Sequence, residues 1–167
     1  MAVQSAQTGH LVFSTLHTND SPGALVRLLD LGIDPYLIAS SVIALMAQRL
    51  VRLICPQCKE AYPPTEEELH LLEIRRDVLP DGMLWRGAGC DHCNGTGFFE
   101  RTGIYELLVM DDEIREMVLR RAPSSEVKQL AVESKGLVTL RADARNKVHA
   151  GMTTVGEATR VTQRDTF

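Results

Sequence analysis

The sequence lacks a long apolar run, an excess of positive charge and a recognisable N-terminal targeting segment. Its longest apolar stretch, Pro35 through Ala47, is interrupted by Ser40 and Ser41 and is too short for a bilayer-spanning helix. The 167 residues carry a formal net charge of −4, which excludes a general electrostatic attraction to nucleic acid or anionic lipid. No short basic segment leads into an apolar one at the start of the chain, so we expect a cytoplasmic, reducing environment.

Cysteine is scarce too, and all four cysteines fall into two Cys-x-x-Cys pairs, Cys55/Cys58 and Cys90/Cys93. This pairing predicts a single Zn²⁺ held by four thiolates, because each pair wraps one edge of a tetrahedral ion. A disulfide framework is disfavoured because no secretory signal precedes the pairs, and a redox-active motif would need only one pair. Four thiolates leave no open coordination position, so the predicted zinc is structural rather than catalytic.

The surroundings of this site can also be predicted. Backbone amides near Pro56–Gln57 and near Asp91–His92 are expected to donate hydrogen bonds to the sulfurs. His92 lies inside the second pair, but the tetrahedron is already complete, so we expect it to be a surface residue. Because metal binding free energy becomes folding free energy, the ion is expected to fold a segment that has too few apolar residues to fold alone.

Three stretches predict β-strands. An initial helix ends at Gly9, and the apolar run His10–Leu16 predicts a strand buried on both faces. Residues 49–54 alternate charged and apolar side chains, which predicts a half-exposed strand leading to the first cysteine pair. Residues 102–109 predict another strand after the second pair.

Capping signals predict the helices. Ser21-Pro22 and Asp34-Pro35 each place a cap before a proline in the first turn, and the second of these helices is expected to reach about Gln48. A capping box, Thr154-x-x-Glu157, opens the last helix. This last helix is predicted at residues 155–163, and the remaining helices are predicted at residues 65–76, 112–121, 125–134 and 139–150.

Two histidines bracket the predicted first strand. His17 and Thr18 stand at its carboxyl end, which is the edge where open α/β sheets bind ligands. His10 precedes the strand. The alternative is that His10 is a structural histidine and that Thr18 to Asp20 form a capped turn. The residues alone leave both interpretations open.

Four runs spread along the chain carry a resemblance to one protein family. They are TGHLVFSTLHTND, RLLDLGIDPYLIASS, AQRLVRLICPQC and GCDHCNGTGFFERTGIYELL. In this order they resemble the secretion ATPases of the type II secretion system and of type IV pilus assembly, over about Ala2 to Thr162. The resemblance implies an α/β fold: a partial RecA-like sheet with flanking helices, an inserted four-cysteine zinc module and a helical carboxyl-terminal region. It implies boundaries at 1–54 for the RecA-like part, 55–105 for the zinc module and 106–167 for the helical part.

The same resemblance implies a function. His10 and His17 match the family's His box, which couples the γ-phosphate region of bound ATP to movements of the sheet and of neighbouring subunits. The intact protein is then expected to be a hexameric, Mg²⁺-dependent ATPase that drives pseudopilus assembly and protein export. It would lie in the cytoplasm, peripheral to the inner membrane through secretion-platform proteins, with no nucleic-acid partner.

Three alternatives stay open from the sequence. A type IV pilus extension ATPase is not separated securely from a type II secretion ATPase by the spacing of the cysteine pairs. Residues 90–97 also match the Cys-x-x-Cys-x-Gly-x-Gly repeat of the DnaJ chaperone zinc region, which suggests a free-standing zinc-dependent binding module, but the first pair lacks the glycines. A nucleic-acid-binding zinc ribbon would need a basic, aromatic face, whereas residues 66–73 are acidic.

The sequence departs from the family in one respect that generates a prediction. No G-x-x-x-x-G-K-[ST] occurs in the 167 residues, and no acidic Walker B or Asp box precedes His10. The chain thus resembles the carboxyl-terminal part of an ATPase, and no residue in it would supply the phosphate-binding loop. We expect this chain alone neither to bind nor to hydrolyse Mg-ATP in isothermal titration calorimetry and phosphate-release assays. Saturable binding at micromolar ATP would contradict the expectation.

Overall fold

This computed structural model describes residues 2–165, which form eight α-helices and four β-strands. The helices are α1 (Ala2–Gln7), α2 (Ser21–Asp30), α3 (Pro35–Ser41), α4 (Glu66–Leu71), α5 (Asp112–Leu119), α6 (Ser124–Lys135), α7 (Leu140–His149) and α8 (Val155–Val161). The strands are β1 (Ala44–Ile54), β2 (Lys59–Tyr62), β3 (Leu84–Gly87) and β4 (Phe98–Val109). Mixed α/β architecture is thereby confirmed. Within the described residues, no helix combines the length and apolar character that crossing a membrane requires.

The chain folds into two compact units. Residues 2–47 and Glu106–Thr139 form the first unit, and Gln48–Tyr105 with Leu140–Asp165 form the second. β1 pairs with β4, and the boundary between the units falls within both strands. The three-part division at residues 54 and 105 stays a prediction. The compact units group residues 106–139 with the N-terminal residues, and residues 140–165 with the cysteine-bearing ones.

The core of the first unit lies between helices α2, α3, α5 and α6 and the end of β4. The apolar side chains there are buried because each helix turns its apolar stripe inward. Its buried members are Leu25, Ile38, Ala39, Leu108, Met110, Ile114, Met117, Val118, Ala122, Val127 and Ala131.

A buried carboxylate fixes the start of α2 in this unit. Glu106 is 1% exposed, and its Oε1 accepts hydrogen bonds from Ser21 N at 2.8 Å and Ser21 Oγ at 2.7 Å. Lys128 Nζ lies 4.0 Å from Glu106 Oε2 and 3.4 Å from Asp20 Oδ2. Asp20 is the N-cap of α2, since its side chain accepts from Gly23 N. Ser21, the predicted capping residue, instead lies in the first turn and donates hydrogen bonds to Glu106.

The prediction that the second capped helix reaches Gln48 is wrong. Asp34 caps α3 as expected, but the helix ends at Ser41 because Val42 takes an extended conformation, with φ −77° and ψ 128°. Val42 and Ile43 are adjacent β-branched residues, which favour extended backbone. Met110, directly after β4, donates its N–H to Ile43 O at 2.9 Å. The extended backbone before β1 therefore has a hydrogen-bond partner outside the helix.

The prediction of a buried strand at His10–Leu16 is also wrong for the described residues. The segment carries no strand hydrogen-bonding pattern, and the side chains of Leu11 and Phe13 are 72% and 89% exposed. β-Branched and apolar residues indicate that a segment suits a sheet interior, but burial requires a partner strand and a covering layer. The described part of the chain brings neither to Leu11 or Phe13.

In the second unit, strands β2 and β3 pair in antiparallel fashion. The register pairs Lys59 with Gly87 and Tyr62 with Leu84. Helix α4 packs against α8, and α7 packs against α8 and β3. Thr65 caps α4 with a complete capping box, but the helix predicted over residues 65–76 ends at Leu71.

Glu157 ties α8 to the end of β1. Its carboxylate is 2% exposed and accepts from Arg52 N at 3.0 Å, from the Arg52 guanidinium at 2.8 and 3.0 Å, and from Arg160. Thr154 caps α8 as predicted, because its side chain accepts a hydrogen bond from Glu157 N. The Glu157 side chain, however, bonds to the two arginines instead of completing the capping box. Thr153 Oγ1 also donates to Arg52 O at 2.8 Å.

Replacing Glu157 tests how much its ion pairs with Arg52 and Arg160 contribute to the stability of the fold. Burial raises the pKa of Glu157, but the bonds from Arg160 and Arg52 outweigh it and lower the pKa from 4.5 to about 2. The unfolded carboxyl binds its proton more tightly, so the pair stabilises the fold above about pH 4.5, and this contribution is lost as pH falls toward 2. We expect Glu157→Gln to lower the free energy of unfolding by about 2 kcal/mol at pH 7, because it leaves charged partners unpaired.

The measurement is urea unfolding of wild type and variant from pH 7 downward. The stability difference should shrink as the pH falls below 4.5, whereas Glu116→Gln, at an exposed site on α5, should differ little from wild type throughout. A difference that stays constant with pH would contradict this account of Glu157.

Candidate metal centre

The four cysteine sulfurs converge on one point in the second unit. Sγ of Cys55 lies 3.8 Å from that of Cys90, Cys58 lies 3.9 Å from Cys93, and Cys90 lies 3.8 Å from Cys93. All four sulfurs are within 4.8 Å of one another, and none is in a disulfide. Sulfurs at about 2.3 Å from a central Zn²⁺ lie about 3.8 Å apart along the edges of the tetrahedron. The donor set and its spacing therefore fit a tetrahedral thiolate-bound metal ion.

The pairing of β2 with β3 brings the two Cys-x-x-Cys segments together. β2 starts directly after Cys58, and β3 ends three residues before Cys90. Because Lys59 pairs with Gly87, the next residue along, Ala88, donates its N–H to Cys58 O at 2.9 Å. Two short strands thus place cysteines that are more than thirty residues apart in sequence on one metal site.

Three backbone N–H groups point at the sulfurs. Gly89 N donates to Cys58 Sγ at 3.3 Å, while Cys90 N and Gly97 N donate to Cys93 Sγ at 3.3 and 3.2 Å. Cys90 N is adjacent to the predicted Asp91–His92 segment, whereas these three donors include none near Pro56–Gln57. Gly89 and Gly97 flank the second pair. Gly97 is the last glycine of the Cys-x-x-Cys-x-Gly-x-Gly motif, which could have identified it as a donor. Hydrogen bonds of this kind stabilise the thiolate form that a metal requires.

The pKa values of Cys93 and Cys58 are shifted in opposite directions. Burial raises the pKa of Cys93, but the N–H groups of Cys90 and Gly97 outweigh burial and lower the pKa to about 6. Burial raises the pKa of Cys58, and the neighbouring thiols add to this effect. The Cys93 sulfur is therefore ready to bind a cation as a thiolate near neutral pH, and binding would displace a proton from Cys58.

Glycines allow the two backbone segments around the metal site to touch. An added Cβ at Gly97 would lie 2.5 Å from Gly87 O, and one at Gly87 would lie 2.0 Å from Gly97 O. Gly97 also has φ +74°, a conformation that disfavours other residues. Its carbonyl accepts from Cys55 N at 2.9 Å. Close approach of residues 87 and 97 is therefore part of how the cluster is assembled.

The structure places the three histidines singled out by sequence at exposed positions. His92 is exposed, and its ring lies 4.1 Å from that of Phe99, which is the surface location expected for it. His10 Nδ1 lies 3.0 Å from Thr8 Oγ1 and 3.2 Å from Ser5 O, at the end of α1. His17 is exposed in the irregular segment before α2. The assignment of His10 and His17 to a nucleotide-coupling site stays a prediction.

Comparison with known proteins places the chain beside one family. The family model described as Type II/IV secretion system protein matches residues 1–160. Type II secretion system protein E of Pseudomonas aeruginosa is 46% identical over 165 residues, covering 99% of this chain and 32% of that protein. Type II secretion system ATPase E of Vibrio cholerae is 43% identical over 98% of this chain and 32% of its own length. Type IV pilus assembly ATPase PilB of Thermus thermophilus is 41% identical over 94% of this chain and 18% of its own length. The chain spans about a third of the type II relatives.

Two glycine substitutions test the close approach at the metal site. Gly95 and Gly97 both have φ +74°, but an added Cβ at Gly95 meets no atom within 4 Å. Alanine at either position incurs the left-handed penalty of about 1 kcal/mol. Gly97→Ala must in addition push residues 87 and 97 apart, so we expect it to weaken Zn²⁺ binding in a chelator competition by at least tenfold more than Gly95→Ala. Equal affinities for the two variants would contradict the assembly described here.

Proposed function

The chain belongs to the type II/IV secretion system protein family, and from that membership we propose that it is the zinc-bearing carboxyl-terminal part of a type II secretion ATPase. In the intact protein, ATP hydrolysis around a homo-hexameric ring would drive pseudopilus assembly and protein export. The observation that carries the proposal is the match to protein E relatives over 98–99% of the chain. The four-thiol cluster in the same chain supports it.

We propose that the cluster holds Zn²⁺ in a structural role. Four cysteine thiolates with spacings near a tetrahedral edge suit this ion, and they leave no position for a substrate. Bound Zn²⁺ would cross-link the two cysteine-bearing segments and stabilise all four thiolates. The chain's own residues contribute the N–H donors and the strand pairing that hold the sulfurs in place.

The remaining family properties are proposed with it. His10 and His17 would act as the His box and couple the state of bound nucleotide to movement of the first unit, and their exposure leaves both rings accessible. ATP and Mg²⁺ would be bound by residues of the intact protein outside this chain. The protein would work in the cytoplasm, at the inner membrane, through secretion-platform partners.

A type IV pilus assembly ATPase is the second candidate. The relative from Thermus thermophilus and one from Acinetobacter baylyi, 41% and 40% identical, are both named type IV pilus assembly ATPases. These identities fall within the 39–46% found for type II secretion proteins, so the choice between the two systems needs an experiment.

Chimeras provide that experiment. Residues 1–160 would replace the matching third of Pseudomonas aeruginosa protein E in a strain that lacks this protein, and separately the matching part of a type IV pilus assembly ATPase in a strain that lacks that one. We expect the first chimera to restore export of type II substrates and the second to restore surface pili poorly. A Cys58→Ser, Cys93→Ser version of the first chimera should fail to restore export.

Restored piliation without restored export would favour the pilus candidate. Two well-expressed chimeras that restore neither process would contradict the family function proposed for this chain. Immunoblots of both chimeras control for expression, because a degraded protein would report on folding rather than on function.

Metal removal tests the structural role of the cluster. The segment between the cysteine pairs depends on the cluster for its closure, so chelation of the purified chain at neutral pH should unfold residues 55–105 before the helices of the first unit. Hydrogen exchange and limited proteolysis with mass spectrometry would locate the change. Unchanged protection of residues 55–105 after verified metal loss would contradict a structural zinc.

A further inference from the structure

One peptide group connects both halves of the metal site. Gly97 donates its N–H to Cys93 Sγ at 3.2 Å, and its carbonyl accepts from Cys55 N at 2.9 Å. Cys93 belongs to the second cysteine pair and Cys55 to the first. The orientation of Gly97 therefore affects a hydrogen bond to one sulfur ligand and the backbone position of another ligand.

The Thr96 side chain brackets this peptide group. Its hydroxyl donates to Cys93 O at 2.6 Å, and its oxygen accepts from Phe98 N at 3.3 Å. The same oxygen lies 3.1 Å from Phe98 O, but a hydroxyl has one proton, and the shorter contact to Cys93 O is the better acceptor. Thr96 thus holds the chain on both sides of Gly97.

Packing does not explain why threonine stands at this position. Thr96 is an exposed residue, so its methyl group contributes little to the core. The turn that it closes has left-handed backbone at Asn94, Gly95 and Gly97, a sequence of conformations with little intrinsic stability. A side-chain hydrogen bond across such a turn has its main effect on local geometry.

We infer that Thr96 is a positioning residue for the metal centre: its hydroxyl fixes the turn that aims the Gly97 N–H at the Cys93 thiolate. This inference rests on the proposed zinc site and adds to it a residue outside the four ligands. Outer partners of this kind typically change metal affinity about 10- to 100-fold when removed.

Three variants separate this role from general stability. Thr96→Val keeps the shape and β-branching of the side chain and removes the hydroxyl, whereas Thr96→Ser keeps the hydroxyl. Thr159→Val is the matched control, because the Thr159 hydroxyl bonds to Val155 O within α8. In a Zn²⁺ competition with a chromophoric chelator, we expect Thr96→Val to bind about 10- to 100-fold more weakly than wild type. Thr96→Ser and Thr159→Val should stay close to wild type.

A spectroscopic readout locates the effect. In the chain loaded with ¹¹³Cd²⁺, an N–H proton bonded to a ligand sulfur can show scalar coupling to the metal. Cys90 N and Gly97 N donate to the same sulfur, so the Cys90 coupling is an internal reference. Thr96→Val should lose or weaken the Gly97 coupling and keep the Cys90 coupling.

The outcomes are distinguishable. Unchanged affinity with an unchanged Gly97 coupling in Thr96→Val would overturn the role of Thr96, as would equal loss of both couplings, which would indicate general loosening. A wild-type chain that fails to bind Zn²⁺ or ¹¹³Cd²⁺ through four sulfurs would instead overturn the zinc site itself.

Discussion

Convergence of four thiols on one point is the constraint on which the second unit depends. Cys55 and Cys58 follow a long strand, Cys90 and Cys93 follow a short one, and residues 59–89 lie between the two pairs. One tetrahedral ion would fix both ends of this stretch. The pairing of β2 with β3 and the contact of Gly87 with Gly97 bring the sulfurs to 3.8–3.9 Å, so the backbone prepares the site for the metal.

Contacts from the carboxyl-terminal helices reach this site through β1. Glu157 of α8 holds Arg52, and the Arg52 guanidinium lies 4.1 Å from the centre of the Phe98 ring. Phe98 directly follows Gly97, and Arg52 stands three residues before Cys55. A buried carboxylate, a cation and an aromatic ring thus connect α8 to both cysteine-bearing segments.

The sequence predicted the features that depend on local chemistry. The four ligands followed from cysteine spacing, and Asp34 and Thr154 cap α3 and α8 as predicted, because a short polar side chain before a helix accepts hydrogen bonds from its free N–H groups. Features that depend on distant partners were missed. The capping-box pattern gave no sign that the Glu157 side chain bonds to Arg52, about a hundred residues away. The run His10–Leu16 has the composition of a buried strand, yet its burial depends on partners that the described residues do not provide.

X-ray absorption at the zinc edge would show whether Cys55, Cys58, Cys90 and Cys93 together bind one Zn²⁺. For the purified chain with its metal content measured, we expect one zinc per chain and a single shell of four sulfurs at about 2.3 Å. A shell that contains nitrogen or oxygen ligands would contradict a site of four cysteines. A zinc-free chain that keeps residues 55–105 folded would contradict it too.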